Sequence, residues 1–285
     1  MSTDIDLAHL QQWIGRTQVA EDVVAPSLVD RFNATIGLDA GRARGDDVAP
    51  RLIHFCLCVD AVPTAALGAD GHPARGDFLP SVPLPRRMWA SSALQFEGDL
   101  RVGDTVRRHS RVASVEVKQG KGGALCFVKV EHRITANDQP VVTETQTIVY
   151  RDAAAGASAP APAPDPAPQG VDVTRVDIAP PLLLRYSALT FNAHRIHYDL
   201  PYATGEEGYP GLVVHGPLQA TLLFHFAARC HDGRAPDRFS FRGVSPAFCG
   251  APLDLHAGHM EAGKLALWSA APQGPIAMQA EAEWA

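Results

Sequence analysis

Apolar and polar residues alternate in three stretches of the first half of the chain, at residues 105–117, 124–134 and 141–150. These stretches are rich in Val, Thr and aromatic residues, and Gly-Lys-Gly-Gly and Asn-Asp sequences separate them. A period of two with turn residues between the runs is typical of antiparallel strands. Three similar stretches close the second half, at residues 253–260, 264–270 and 276–284. The pattern therefore predicts an antiparallel meander at the end of each half.

One apolar run in the second half has helical spacing instead. Leu218, Leu222 and Phe226 recur four residues apart, and Pro217 precedes them. Proline suits the first position of a helix because its missing N–H costs nothing there, and a helix that is apolar on most sides is buried. The spacing predicts a central buried helix that ends near Cys230.

The first half repeats this order in outline. The runs 31–36 and 52–59 correspond to 190–196 and 218–230, and Phe96-x-Gly98 matches Phe241-x-Gly243. Each half is therefore interpreted as a short helix, a long buried helix and a meander. This is an α+β arrangement in which an antiparallel sheet wraps one helix.

A segment rich in Ala and Pro separates the halves. Residues 153–169 read AAAGASAPAPAPDPAPQ. Such a composition has no apolar face to bury and favours an extended, polyproline-like spacer. It divides the chain into an N-terminal unit, residues 1–152, and a C-terminal unit, residues 170–285.

Composition narrows the class of protein. The chain has 285 residues, of which 46% are hydrophobic and 20% charged, which is typical of a globular protein. The net charge of -6 argues against general nucleic-acid binding, and no apolar stretch approaches the length of a membrane span. The first ten residues lack the pattern of a secretory signal. The five cysteines contain no C-x-x-C pair, and four lie in apolar surroundings, so we expect a cytoplasmic protein with reduced thiols.

The residues best suited to chemistry begin with Asn192 and His197, five positions apart. A neutral imidazole is well suited to accept a proton from water near neutral pH, whereas an amide can hold a water but cannot titrate. The two side chains could therefore position and activate one water molecule. The alternative is that His197 only caps a turn.

A second candidate feature is the helix start at His215-Gly216-Pro217. The first N–H groups of a helix are free and lie at the positive end of its dipole, so they stabilise negative charge on a ligand oxygen. Gly216 would let that oxygen approach closely. The alternative is an ordinary Gly-Pro helix start.

A metal site is a third reading of the same region. His194 and His197 are three residues apart, and Asp199 and His215 are near in sequence. However, Pro201 makes a continuous helix doubtful there, and neither an H-E-x-x-H pattern nor a cysteine joins the set. The sequence therefore predicts no metal.

Three segments carry a resemblance to a known family. They are SALTFNAHRIHYD at 187–199, GLVVHG at 211–216 and LPRRMWA at 84–90. They resemble the MaoC-like enoyl-thioester hydratases, in particular the double-hotdog branch of mesaconyl-CoA and itaconyl-CoA hydratases and mitochondrial-type 3-hydroxyacyl-thioester dehydratases. The resemblance covers both halves apart from the linker. It implies a double hotdog, with a long buried helix wrapped by an antiparallel sheet in each unit.

The resemblance also implies reversible addition of water to an α,β-unsaturated acyl thioester. His197 would act as general base on a water held by Asn192 and return a proton to the α-carbon, while the N–H of Gly216 polarises the thioester carbonyl. The broader motif has Asp where this chain has Asn192, so proton transfer would fall mainly on His197. The first unit has Asn33 but Leu38 where the histidine would lie, which predicts a catalytically silent unit with a roomier groove.

The substrate is less sharply indicated. Arginine binds carboxylates and phosphates through its planar fork. Candidates for the phosphates of coenzyme A or for a second substrate carboxylate are Arg86, Arg87, Arg185 and Arg195, with surface positions or structural ion pairs as the alternative. Trp89, Gly211, Val213 and His215 complete the expected substrate-binding set.

An arginine that binds a carboxylate would favour a branched C4 or C5 dicarboxylyl-CoA such as mesaconyl-CoA or itaconyl-CoA; otherwise a fatty enoyl thioester is favoured. No cofactor is expected beyond the coenzyme A that is part of the substrate. The sequence leaves open whether the protein forms a homodimer. Two rival classes are a hotdog thioesterase and a non-catalytic acyl-thioester binding module. Asn192 argues against the first, which needs an acidic residue, and His197 argues against the second, which needs no base.

Overall fold

The strands come in two sets of five. The computed structural model of the protein describes residues 5–38, 41–120, 123–152 and 164–285. The N-terminal unit supplies β1 (Thr17–Val23), β2 (Arg86–Phe96), β3 (Thr105–Gly120), β4 (Gly123–Ala136) and β5 (Gln139–Arg151). The C-terminal unit supplies β6 (Asp172–Asp177), β7 (Arg238–Gly243), β8 (Pro252–Glu261), β9 (Lys264–Ala270) and β10 (Ile276–Glu283). The predicted meander strands are therefore present in both units.

These strands form one antiparallel sheet across both units, in the order β1-β3-β4-β5-β2-β7-β10-β9-β8-β6. The units join where β2 pairs with β7, with Ser91 opposite Arg242 and Gln95 opposite Arg238. Read outward from this seam, each unit has the same topology. Phe96 and Phe241 lie on the two seam strands, which supports the internal repeat predicted from the sequence.

Four α-helices are described: α1 (Leu7–Gln11), α2 (Pro26–Ile36), α3 (Pro180–Leu189) and α4 (Gly216–Cys230). Short 3-10 turns at Ile53–Cys56, Thr64–Ala66 and Arg195–His197, and a π-helical turn at Tyr202–Glu206, lie in the connections. None of the described helices has the length and apolar character needed to cross a membrane.

Helix α4 is the central buried helix that the spacing predicts. Leu218, Leu223 and Phe224 are inaccessible to solvent. The Phe224 ring lies 5.4 Å from Phe96 of the first unit and 5.2 Å from Phe239 of the second. Because aromatic contacts of this kind bury much apolar area, this helix packs into a core that both units share.

The matching long helix predicted for the first unit is absent. The run 52–59 forms only the 3-10 turn Ile53–Cys56, although most of its side chains are buried. Leu52 and Cys58 both have positive φ values, of 70° and 54°, which a continuous α-helix does not allow. The prediction was wrong because an apolar run of this length shows burial but does not distinguish a helix from a buried irregular segment.

The C-terminal end of the predicted linker packs against the second unit. Ala167 donates its N–H to the Gly274 carbonyl at 2.8 Å, and the Trp268 indole donates to the Pro168 carbonyl at 2.9 Å. The rest of the linker, residues 153–163, lies outside the described residues.

Candidate active site

A cavity of about 480 Å³ lies between the two units. The start of β2 forms one side, and the segment from Thr190 to Val214 with the first turn of α4 forms the other. Seven residues expected at the site line it: Arg86, Arg87, Trp89, Asn192, His197, Val213 and Gly216. The packing of the two units therefore brings together residues that are more than a hundred positions apart in sequence.

Asn192 is placed by a sharp turn at the end of α3. Phe191 has a φ of 49°, an uncommon conformation for a bulky residue, and its side chain is 60% exposed. Asn192 donates its N–H to the Ser187 carbonyl, and its side-chain Oδ1 accepts from the His194 N–H at 3.0 Å. With Oδ1 engaged in the turn, the amide Nδ2 is the group that can donate into the cavity.

His197 is held in one tautomer by the backbone. Its Nδ1 lies 2.8 Å from the Val213 carbonyl oxygen, which can only accept, so Nδ1 carries the proton. In the neutral ring Nε2 is then the basic atom. Burial lowers the pKa of His197 to about 4, although the Val213 carbonyl opposes this shift. His197 is thus an unprotonated base at neutral pH.

His215 packs against the His197 ring on the side away from the cavity. The two rings stack with centroids 3.6 Å apart and planes 20° apart. His215 Nε2 lies 2.8 Å from the Ser187 hydroxyl, its side chain is 1% exposed, and it does not line the cavity. Burial lowers its pKa far below the usual value. The structure therefore places His215 beneath the base and out of reach of a ligand in the cavity.

Gly216 begins α4 at the cavity wall. A Cβ at this position would lie 3.7 Å from the Trp89 carbonyl oxygen, so a larger side chain would fill the space in front of the helix start. Trp89 is itself fixed, because its indole N–H donates to the Ser92 hydroxyl at 2.9 Å. The arrangement leaves the N-terminus of a fifteen-residue helix open to a ligand oxygen.

The four candidate arginines have different surroundings. Arg86 pairs with Glu207 at 2.9 Å. Arg87 also lines the cavity but has no carboxylate partner among the described residues.

The other two candidate arginines lie elsewhere. Arg185 is exposed on α3, and Arg195 pairs with Asp199 at 2.7 Å and lies over the Tyr202 ring. Arg185, Arg195 and Gly211 do not line the cavity.

The residues considered for a metal site do not assemble into one. His197 Nδ1 and His215 Nε2 bond to Val213 and Ser187, and Asp199 is held by Arg195.

Several cavity residues were not found from the sequence, among them the charged or titratable side chains of Asp70, His72 and Arg151. Asp70 and His72 lie in an irregular Gly- and Pro-containing loop of the first unit, where the sequence indicates only a turn. His72 Nδ1 lies 2.9 Å from Asp70 Oδ2. Ligand-type atoms of Asp70, His72 and His194 lie within 4.8 Å of one another, so an Asp–His pair lies beside a third imidazole.

The fold defines a class of protein, the double-hotdog proteins. HtdX of Mycobacterium tuberculosis aligns with 93% of the chain and 98% of its own length, with a TM-score of 0.66 and 20% identity. A second protein of that organism, described as having a double hotdog fold, aligns with 95% of the chain and 96% of its own length, with a TM-score of 0.54 and 17% identity. At these identities the two structures establish the fold.

The sequence comparisons place the chain within that class. The family model "Hydroxyacyl-thioester dehydratase type 2" matches residues 52–249. The mesaconyl-C(4)-CoA hydratase of Chloroflexus aurantiacus is 42% identical over 277 residues, which are 97% of this chain and 98% of that protein. The chain belongs to the hydroxyacyl-thioester dehydratase type 2 family, and it is a hydro-lyase.

Proposed function

We propose that this enzyme adds water reversibly to the double bond of a branched α,β-unsaturated dicarboxylyl-CoA of the mesaconyl-CoA or itaconyl-CoA type. The observation that carries the proposal is the cavity in which an unprotonated histidine and an arginine without a carboxylate partner among the described residues lie together. Similarity to a mesaconyl-C(4)-CoA hydratase over nearly the whole chain supports the same choice.

His197 and Asn192 provide the water site. The unprotonated Nε2 of His197 accepts a proton from the water, and the Asn192 amide donates a hydrogen bond to the water oxygen. As the proton leaves, the oxygen bonds to the β-carbon. Asn192 orients this water but exchanges no proton, because an amide does not titrate. General base catalysis of this kind contributes about 10²–10⁴-fold.

Gly216 acts on the thioester carbonyl of the substrate. Addition at the β-carbon moves electron density onto the thioester oxygen, and the N–H at the start of α4 stabilises that charge. Removal of one donor of this type costs about 10²–10³-fold in rate. The chemistry needs no redox group, because the thioester itself stabilises the charge.

Arg87 is proposed to bind the second carboxylate of the substrate. Arg86 is less suited to this role, since Glu207 already neutralises it at 2.9 Å. Arg151 is a second cation at the cavity. It donates to the Tyr209 hydroxyl at 3.3 Å, while its Nε is buried without a partner. A ligand carboxylate or phosphate would satisfy this donor.

We also propose that the enzyme is cytoplasmic and that it needs no cofactor beyond the coenzyme A of its substrate. The five cysteines support the first point, because they are free and burial raises the pKa of Cys56 to about 12. Such thiols are typical of a reducing compartment.

The test is the change of enoyl-thioester absorbance with purified protein and mesaconyl-, itaconyl-, crotonyl- and decenoyl-CoA in parallel. We expect fast turnover of a dicarboxylyl substrate, at least tenfold above the others in kcat/KM, and loss of that turnover in His197→Gln. Preference for decenoyl-CoA would instead indicate a dehydratase of fatty-acid metabolism and would contradict the assigned role of Arg87.

A further inference from the structure

A loop of the first unit, residues 68–74, is docked onto the segment that carries Asn192 and His197. The Arg195 N–H donates to the Asp70 carbonyl at 2.9 Å, and the Arg195 guanidinium donates to the Ala69 carbonyl at 3.0 Å. Gly71, between these contacts and His72, has a φ of 88°. These contacts between the units thus fix two side chains of the first unit, Asp70 and His72, in the shared cavity.

Those side chains form a hydrogen-bonded acid–imidazole pair. Asp70 accepts from the His72 N–H at 3.0 Å and from His72 Nδ1 at 2.9 Å. Because the carboxylate accepts the Nδ1 proton, Nε2 is the atom of His72 that remains available for proton transfer. Both side chains line the same cavity as Asn192 and His197 and are about one-fifth exposed, at 21% and 20%.

The rings of three histidines connect this pair to the water site. His72 and His194 have centroids 4.1 Å apart, and His194 and His197 have centroids 5.3 Å apart. Hydration needs a proton acceptor for the water and a proton donor for the α-carbon. Asn192 can serve as neither, and two further histidines, His72 and His194, line the cavity beside His197.

We propose that His72, held by Asp70, is the catalytic residue that exchanges the proton at the α-carbon, while His197 serves the water. This rests on the hydratase function proposed above, and it assigns a catalytic residue to the unit that the sequence predicts to be silent.

The two proton transfers balance. The water oxygen bonds to the β-carbon, its proton passes to His197 Nε2, and the π electrons of the double bond move to the α-carbon as an enolate. The Nε2–H bond of the His72 imidazolium then breaks, and that proton bonds to the α-carbon. His197 ends charged and His72 neutral. Passage of one proton from His197 to His72, through His194 or water, restores the starting state, and dehydration runs the steps in reverse.

Burial has the largest effect on His72 and keeps its pKa below the usual value, so its imidazolium gives up a proton readily. Burial and the charges of Arg87 and Arg75 lower its pKa, while the hydrogen bond and charge of Asp70 raise it. His194, on its other face, is held neutral because burial lowers its pKa to about 2. Charge on His72 also lowers the pKa of His197, which favours states in which only one of the two is protonated. A substrate carboxylate on Arg87 would offset one of the charges that disfavour the His72 imidazolium.

The test compares kcat, KM and the pH profile of hydration in the wild type, His72→Asn, Asp70→Asn and His225→Gln. His72→Asn keeps a donor toward Asp70 but removes Nε2. We expect kcat to fall about 10²–10³-fold with KM within about threefold. Because burial keeps the pKa of His72 below its usual value, the wild-type rate should already decline as the pH rises through the lower part of the usual histidine range, and this alkaline limb should vanish in His72→Asn.

The Asp70→Asn variant provides a second arm if His72→Asn does not fold. It keeps a hydrogen-bond acceptor but removes the charge that raises the pKa of His72, so the alkaline limb should move to lower pH. His225→Gln removes a half-buried histidine outside the cavity and should leave kcat and the limb unchanged. A folded His72→Asn with wild-type kcat, or an Asp70→Asn with an unmoved limb, overturns the assignment. Absence of turnover in the wild type would instead refute the proposed function.

Discussion

Gly71 and Ala193 lie so close together that a Cβ built on Gly71 would be 1.9 Å from the Ala193 carbonyl oxygen. The two residues belong to different units, and Ala193 follows Asn192 directly. Only a residue without a side chain allows this approach, and the left-handed φ of 88° at Gly71 also favours glycine. The contact fixes the loop of Asp70 and His72 against the segment that carries Asn192 and His197.

Gly71→Ala is therefore expected to displace this loop. The new methyl group meets backbone atoms, which cannot rotate away, so we expect a loss of about 1–3 kcal/mol in the free energy of unfolding and a fall of at least tenfold in kcat. Urea denaturation and turnover of the preferred substrate measure the two effects. Gly76→Ala is the matched control, since Gly76 has a φ of 105° but its Cβ would meet only the Ser81 side chain at 3.6 Å. Equal loss of kcat in both variants would contradict the importance of the Gly71 contact.

Arg87→Gln is expected to change substrate choice. Without the guanidinium the second carboxylate loses its partner, so kcat/KM for a dicarboxylyl-CoA should fall about 10²-fold while that for crotonyl-CoA changes little. The measurement is the ratio of the two kcat/KM values. Arg86→Gln removes the neighbouring cation that Glu207 already neutralises and should preserve the ratio. If Arg86→Gln lowers the ratio as much as Arg87→Gln, the carboxylate does not bind where we place it.

Asn192→Asp separates the two hydrogen-bonding roles of this side chain. The carboxylate can still accept from the His194 N–H, as Oδ1 of the amide does at 3.0 Å, but it cannot donate to the water when ionised. We expect the turn to persist and kcat at neutral pH to fall at least tenfold. Circular dichroism checks the fold and steady-state kinetics the rate. An unchanged or higher kcat would show that the amide donor is not needed.

His225 makes stability depend on pH. Burial on α4 lowers its pKa to about 4, and its Nε2 donates to the Arg51 carbonyl at 3.1 Å. The unfolded histidine titrates near 6.5, so between about pH 6.5 and pH 4 the unfolded chain binds a proton that the folded chain does not. Stability therefore falls as the pH falls through this window, by up to about 3 kcal/mol for this residue.

His225→Gln keeps an amide donor toward Arg51 and removes the titration. Its free energy of unfolding in urea should resemble the wild type at pH 7.5 and decline less between pH 7.5 and pH 5. His259→Gln, which removes an exposed histidine on β8, is the control. A wild-type pH dependence in His225→Gln would mean that other groups cause the acid destabilisation.

Much of the candidate site was predictable because it is local. Asn192, His197 and Gly216 lie within 25 residues of one another, and their spacing around one turn and one helix start allows a chemical interpretation. The arginines could be identified only as candidates, because an arginine's partner depends on the fold. Glu207 neutralises Arg86 from 121 positions away, and no sequence pattern distinguishes Arg86 from Arg87.

The alternation of apolar residues determined the meander strands, the helical spacing determined α4, and the motif around His197 determined the chemical class. These features depend on neighbours in the chain, and local periodicity records them. Tertiary structure alone decided that the run 52–59 forms a turn, that His215 lies beneath His197, and that Asp70 and His72 reach the cavity. Each of these depends on contacts between segments distant in sequence, and the space, desolvation and partners that such contacts provide exist only once the two units have packed together.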